Sequence, residues 1–274
     1  YPKEKLQIIV GSDSSTDNTD EFVKSYKPMG VVLARLPVRK GKTAVQNHAV
    51  KYANGEILIF SDATTRYKSD SIKKIVRNYK DKDIGCVTGE VVYVGQSNTA
   101  VSKGGMLYWK YESFIKQLES DLGSILGAAG CIYSMRKSLY TPFDENYISD
   151  FVSPLILILK GNRQKCLDDD FLNPIQIYCK GIRSIVEPEA IAYEKTSKTN
   201  KEEFNMRSRV ITRSISGILH VRQVLNPIRF PWFSFQLISH KILRWLVPVF
   251  LLFGFILNLF LLGNDIYYKI FQIQ

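Results

Sequence analysis

The sequence has few of the residues that carry several common protein chemistries. Its 274 residues include only four cysteines and three histidines, and no two cysteines form a CxxC pair. This excludes a zinc ribbon and a disulfide scaffold, and the sparse histidines argue against a Ser-His-Asp triad. Neither GxxxxGK[ST] nor GxGxxG occurs, so the phosphate-binding loops of NTPases and dinucleotide enzymes are absent. Carboxylates are the chemical groups left to consider.

Acidic residues are scarce toward the C-terminus. Between positions 195 and 244, ten basic side chains are opposed only by Glu202 and Glu203, and this stretch carries most of the net charge of +11. Residues 245–264 follow without a single charge, and as a helix they would span about 30 Å, the thickness of a bilayer core. A basic belt beside such a span predicts membrane lipids rather than nucleic acid as the partner. The positive-inside rule then places the preceding part of the chain in the cytoplasm.

Three parts are predicted from this pattern. Residues 1–194 form a catalytic domain, residues 195–244 form a basic, interfacial amphipathic region, and residues 245–264 form a transmembrane helix. Aromatic and basic residues lie close together near the end of the second part, as is typical of segments that lie in the membrane interface. Because the chain opens on a strand without a methionine, we expect an N-terminally truncated fragment that lacks a first strand and further membrane helices.

Strand and helix patterns alternate in the first part. Apolar, β-branched runs at 6–10, 31–36 and 56–60 predict strands, and apolar residues at helical spacing lie between them. This alternation is typical of an α/β fold with a mainly parallel sheet. Asp13 and Asp62 follow two of these strands, at the sheet edge where such folds bind ligands.

A tandem repeat places two acids in equivalent positions. Residues 150–163 and 170–183 align at an offset of twenty, with Asp, Phe, Pro, Lys, Gly and Arg in register. Each copy predicts a helix that begins at an acid and ends at a Lys-Gly pair. Asp150 and Asp170 are therefore alternative candidates for one role.

Several short motifs follow one another in a fixed order. They are Gly11–Thr19, Arg39–Thr43, Asn47, Gly55–Ala63, Gly127–Gly130, Tyr133, Arg136, Leu139, Ile148–Phe151, Glu187–Ala190 and the trio Arg207, Arg209 and Arg213. This order resembles that of family 2 inverting glycosyltransferases of the GT-A fold, in the membrane-bound branch with cellulose, hyaluronan and poly-N-acetylglucosamine synthases. The resemblance implies transfer of a hexose from a UDP-sugar to a glycan or lipid-linked acceptor at the cytoplasmic face of the cell membrane, in polysaccharide or cell-surface glycan synthesis.

The resemblance also implies roles for residues that bind the donor. Asp13 would contact the uracil, where capping of a helix is the alternative, and Lys42 would lie near the nucleotide. Asp62 matches the first acid of the DxD motif and would hold Mg²⁺ or Mn²⁺ against the diphosphate. Thr64 stands where the second acid would be, so a neutral hydroxyl would serve as the other metal ligand.

The base and the leaving-group residues are implied in the same way. Inversion needs a base that deprotonates the acceptor hydroxyl, and we favour Asp150 over Asp170. Arg207 and Arg209 would hold the diphosphate. Val210 stands where processive members carry a tryptophan, so the sequence does not support processivity.

Other classes of function remain open at this point. A nucleotidyltransferase of similar fold would explain the acids at strand ends but not the membrane span. A nucleic-acid binder would explain the basic belt but not its position. A non-catalytic membrane scaffold would explain the charge and the span but would have no need for the ordered acidic motifs. The fourth alternative is a degenerate glycosyltransferase of the same fold, disabled by truncation or duplication.

Overall fold

The protein is described here by a computed structural model with two compact units. The units comprise Tyr1–Gln223 and Val224–Gln274. The structure describes residues 1–94, 100–142, 144–165, 181–195 and 200–261. Asp170 and most of the second repeat copy lie outside these residues.

The described residues of the first unit form an α/β unit with seven strands. Its strands are β1 (Ile9–Ser12), β2 (Val32–Arg35), β3 (Ile57–Ser61), β4 (Arg66–Tyr67), β5 (Ile84–Val94), β6 (Ile132–Arg136) and β7 (Arg183–Lys195). Its α-helices are α1 (Thr19–Ser25), α2 (Lys42–Val50), α3 (Ser71–Arg77), α4 (Ala100–Leu122), α5 (Ser149–Lys165) and α6 (Asn200–His220).

The strands form two sheets with mixed directions. β1 and β2 are parallel, and the larger sheet has the order β3-β6-β5-β7-β4. Within it β5 and β7 are parallel, whereas β6 runs antiparallel to both β3 and β5, and β4 runs antiparallel to β7. The sheet predicted as mainly parallel is therefore mixed, because β6 and β4 enter it in the opposite direction.

Two apolar clusters cover the two faces of the larger sheet. Cys86 and Tyr133 belong to one cluster, and their chain neighbours Val87 and Ile132 belong to the other. Since successive side chains of a strand point to opposite faces, the two clusters lie on opposite sides. Cys86 is a buried free thiol, as is Cys131.

The second unit contains a long apolar helix. It consists of α7 (Pro231–Gln236), a π-helical stretch (Leu237–Ile242) and α8 (Leu243–Leu261). The run Pro231–Phe260 is long and apolar enough to cross a membrane, and its most apolar segment is not buried. The helix begins at Pro231, where a proline in the first turn costs no hydrogen bond because its missing N–H would have no partner there. The transmembrane bounds 245–264 stay a prediction.

Candidate active site

Lys42 connects two motif residues that the sequence separates. Asp62 directly follows β3 and Lys42 begins α2. The Lys42 ammonium forms an ion pair with the Asp62 carboxylate and donates a hydrogen bond to the Gly130 carbonyl at 3.0 Å. The side chains of Lys42 and Asp62 are 44% and 39% exposed, so this pair remains open to solvent and to a ligand.

Asp150 lies against the same glycine. It occupies the first turn of α5, and its backbone carbonyl accepts a hydrogen bond from Ala128 N. A Cβ atom at Gly130 would lie 2.7 Å from Asp150 Oδ2 and 3.4 Å from Lys42 Nζ. Only glycine therefore lets this carboxylate and this ammonium approach the same backbone position. We call Lys42, Asp62 and Asp150 the strand-end cluster.

The Asp150 carboxyl has an altered proton affinity. Burial raises its pKa above the ordinary value, and the Lys42 ammonium acts in the opposite direction. A raised pKa suits a group that accepts a proton during a reaction. The neighbouring Ser149 is buried and hydrogen-bonded to Tyr133 and Gln46, so the start of the helix that carries Asp150 is held in place.

Asp13 organises the basic loop before α2. Its Oδ1 accepts a hydrogen bond from Lys40 N at 2.7 Å and its Oδ2 accepts one from Gly41 N at 2.8 Å. Gly41 has φ +93°, a conformation that favours glycine. At the start of α1 it is Asp17, not Asp13, that accepts a hydrogen bond from Thr19 N. Asp13 therefore positions the loop that leads to Lys42 rather than capping α1.

The turn after β3 carries the oxygen atoms that a divalent cation would need. Thr65 N donates to the Asp62 carbonyl at 3.2 Å, which closes the turn. Thr64 Oγ1 lies 3.5 Å from Glu194 Oε2 of β7, and Thr65 Oγ1 hydrogen-bonds to the other oxygen of that carboxylate. Carboxylate and hydroxyl oxygens fit Mg²⁺ or Mn²⁺ by their chemistry.

The protein ligands for such a cation would be few. Within the described residues no three His, Cys, Asp or Glu side chains lie close enough together to hold a metal ion. A cation at Asp62 would therefore complete its coordination with oxygens from a bound diphosphate. It would also compete with the Lys42 ammonium for the Asp62 carboxylate.

The two arginines lie on α6. The Arg207 guanidinium lies 4.8 Å from the centroid of the Tyr108 ring on α4, and Arg209 is exposed. Val210, also exposed, occupies the position of the missing tryptophan. The assignment of Arg207 and Arg209 to a diphosphate stays a prediction.

A second acidic cluster comes from a motif without an assigned role. The Glu187 carboxylate accepts hydrogen bonds from Arg77 Nε and Nη2, at 3.1 and 3.0 Å, and from Asn78 Nδ2 at 2.8 Å. Arg77 also donates to Glu189 at 2.6 Å. These contacts join α3 to β7. We call Arg77, Asn78, Glu187 and Glu189 the Glu187 cluster.

Glu194 is the residue of this region that sequence reasoning missed. It belongs to no motif and lies 130 positions after Thr64, so only the pairing of β4 with β7 brings it to the turn. The one sequence feature that could have pointed to Glu194 is the missing second acid in Asp62-Ala63-Thr64. A metal site whose motif has a single carboxylate needs a further ligand from elsewhere in the chain.

Comparisons with known sequences identify a family and several relatives. The profile of the Glycosyl transferase family 2 matches residues 1–141. The probable glycosyltransferase YdaM of Bacillus subtilis (strain 168) is 24% identical over 220 residues, covering 76% of this chain and 48% of that protein. The poly-beta-1,6-N-acetyl-D-glucosamine synthase of Staphylococcus aureus (strain COL) is 26% identical over 137 residues, covering 49% and 33%. The chain thus spans about half or less of these relatives.

Solved structures share the fold. The mannosyltransferase PcManGT from Pyrobaculum calidifontis, in complex with GDP-Man and Mn²⁺, is 19% identical with a TM-score of 0.57, covering 99% of this chain and 75% of that one. S. aureus TarS 1-349 in complex with UDP-GlcNAc is 17% identical with a TM-score of 0.50, covering 87% and 65%. These similarities confirm the predicted α/β GT-A fold.

Proposed function

The chain belongs to glycosyl transferase family 2, and from this premise we propose that it transfers a hexose from a UDP-sugar to a glycan or lipid-linked acceptor with inversion of configuration. The observation that supports this most is the strand-end cluster. Lys42 is paired with Asp62 and lies beside Asp150, so a carboxylate suited to a metal and a carboxylate suited to a base share one site.

In this proposal Asp150 is the general base. It takes the proton of the acceptor hydroxyl, whose oxygen forms a bond to the anomeric carbon of the donor. The bond from that carbon to the diphosphate oxygen breaks on the opposite face, and UDP leaves. Asp170 is the alternative base, since it occupies the same place in the second repeat copy.

The negative charge of the leaving diphosphate needs compensation. Asp62 and Thr64 would hold Mg²⁺ or Mn²⁺, and a bound divalent cation neutralises charge that develops on the departing oxygen. Lys42 lies next to Asp62 and supplies a positive charge at the same place. Arg207 and Arg209 would add guanidinium contacts to the phosphates.

Nucleotide recognition is assigned to the loop after β1. Asp13 is half-buried and its two oxygens accept hydrogen bonds from the loop before α2. A carboxylate oxygen has further lone pairs, which can accept the uracil N–H. Titration with UDP and with GDP tests this choice, and tighter binding of GDP would exclude a uridine donor.

A location at the cytoplasmic face of the cell membrane is part of the proposal. Pro231–Phe260 is long enough to span a bilayer, and the basic residues between 195 and 244 lie mostly before it. Protease added to intact cells should spare residues 195–244, and after lysis it should cleave the part of this stretch that precedes Pro231. Cleavage without lysis would reverse the proposed orientation.

The central experiment is a UDP titration with and without Mn²⁺. We expect binding that strengthens with the metal, followed by turnover when UDP-hexoses and acceptors are supplied. The pairing of Lys42 with Asp62, together with Thr64 in place of an acid, favours a degenerate membrane scaffold as the second candidate. A scaffold would show no metal-dependent UDP binding, and a nucleotidyltransferase would release pyrophosphate from a nucleoside triphosphate.

A further inference from the structure

The turn after β3 has a neutral residue where the DxD pattern has a second acid. Thr64 occupies this position, and its hydroxyl lies 3.5 Å from Glu194 Oε2. Thr65, next in the turn, hydrogen-bonds to Glu194 Oε1. A carboxylate from a distant strand is therefore held at the place where the local sequence lacks one.

Strand pairing determines this position. β4 runs antiparallel to β7, with Arg66 opposite Tyr193 and Tyr67 opposite Ala192. Continuing this register by one residue places Glu194 opposite Thr65. On its other side β7 pairs with β5, where Glu194 is opposite Tyr93. Because both neighbours of β7 fix its register, Glu194 cannot slide along the turn.

The charges of Glu194 and Asp62 act on the same buried groups. Burial raises the pKa of the Tyr67 hydroxyl to about 12, with smaller contributions from Asp62 and Glu194 in the same direction. Burial also raises the pKa of the Cys131 thiol to about 12, again with contributions from both carboxylates. Both carboxylates are therefore close enough to Tyr67 and Cys131 to act on them.

We propose that Glu194 supplies the second carboxylate for the divalent cation at Asp62, in the role that Thr64 cannot perform. This inference rests on the proposed function, since it needs a cation that accompanies a nucleoside diphosphate. Two carboxylates balance the charge of Mg²⁺ or Mn²⁺, and oxygen ligands are those these ions prefer. The hydroxyls of Thr64 and Thr65 orient the Glu194 carboxylate toward the turn.

The test measures Mn²⁺ binding in the presence of UDP, by the electron paramagnetic resonance signal of free Mn²⁺. Glu194→Gln should weaken Mn²⁺ binding about tenfold or more, since removing even a group that supports a metal ligand costs 10–100-fold. Thr64→Asp introduced into the Glu194→Gln variant should restore binding, because it returns an acid to the turn. Glu189→Gln, an exposed acid on the same strand, is the matched control and should bind Mn²⁺ like the wild type.

The outcomes separate this inference from the proposed function. If the wild-type protein shows no Mn²⁺-dependent UDP binding, the proposed function fails. If the wild type binds and Glu194→Gln binds Mn²⁺ equally well, the role of Glu194 is overturned. Thermal unfolding checks each variant. Should Glu194→Gln not fold, Glu194→Asp takes its place: it withdraws the carboxylate by one methylene and should weaken Mn²⁺ binding, and unchanged binding overturns the role.

Discussion

The strand-end cluster and the Glu187 cluster both pair acids with a basic side chain, yet their surroundings differ. The Glu187 side chain is 5% exposed, and three N–H groups from Arg77 and Asn78 surround its carboxylate. Asp62 is 39% exposed, and its carboxylate pairs with the flexible Lys42 ammonium. The Glu187 cluster is closed by short hydrogen bonds, and the strand-end cluster stays open to solvent.

This difference separates a structural from a reactive use of the same residue types. An arginine fork bound to a buried carboxylate has little to gain from a ligand, because its hydrogen bonds are already made. A lysine ammonium is a compact charge on a flexible stem, so it can release Asp62 when a metal and a diphosphate arrive. We therefore expect the two clusters to respond differently to substitution.

Substitution of the proposed base should have the largest effect. Asp150→Asn should lower the turnover rate about 10²–10⁴-fold, the usual contribution of a general base, while UDP binding and the melting temperature stay close to those of the wild type. Steady-state kinetics and a UDP titration measure both. Asp170→Asn is the paired variant and should keep most activity. If the two variants behave in the opposite way, the second repeat copy holds the base.

The next largest effect concerns the metal. Asp62→Asn should remove the strengthening of UDP binding by Mn²⁺, a loss of several kcal/mol, because a charged ligand becomes neutral. Calorimetric titration of UDP with and without Mn²⁺ measures this. Asp83→Asn alters an exposed acid in a turn and serves as the control. If Mn²⁺ still strengthened UDP binding by Asp62→Asn, the cation would bind at a site other than Asp62.

The Glu187 cluster should affect stability without affecting binding. Glu187→Gln should lower the free energy of unfolding by about 1–3 kcal/mol, because a buried acceptor of charged hydrogen bonds loses its charge. Denaturant unfolding measures this loss. Mn²⁺-dependent UDP binding by the folded variant should equal that of the wild type. If Glu187→Gln were as stable as the wild type but bound UDP much more weakly, the Glu187 cluster would also contribute to binding.

The smallest expected effect is a shift in pH dependence. The Lys42 ammonium lowers the pKa of Asp150, against the larger effect of burial. Lys42→Met should therefore raise this pKa further, and since the base works only when ionised, the acid limb of the rate profile should move to higher pH. Turnover at saturating donor, measured across pH, tests this. An acid limb at the same pH as in the wild type would mean that Lys42 does not act on Asp150.

Local patterns determined the elements and the acids at their ends. β2 and β3 occur close to the positions that apolar runs predict, because burial of the side chains of a strand is a local requirement. Asp13 and Asp62 follow strands as predicted. β1 begins at Ile9 rather than at position 6, since its pairing with β2 starts at Ile9 and Val32, a contact with no local signal.

Contacts between distant residues were decided by the tertiary structure alone. Strand direction depends on how the chain returns to the sheet, so a local pattern could not show that β6 and β4 run antiparallel to their neighbours. The same pairing brings Glu194 to Thr64 across 130 positions, and the approach of α2 to Gly130 brings Lys42 beside Asp150. The sequence by itself determined the types of chemical group and the strand ends that carry them. Their pairing required the packed sheet, because side chains meet there through long-range register rather than through sequence spacing.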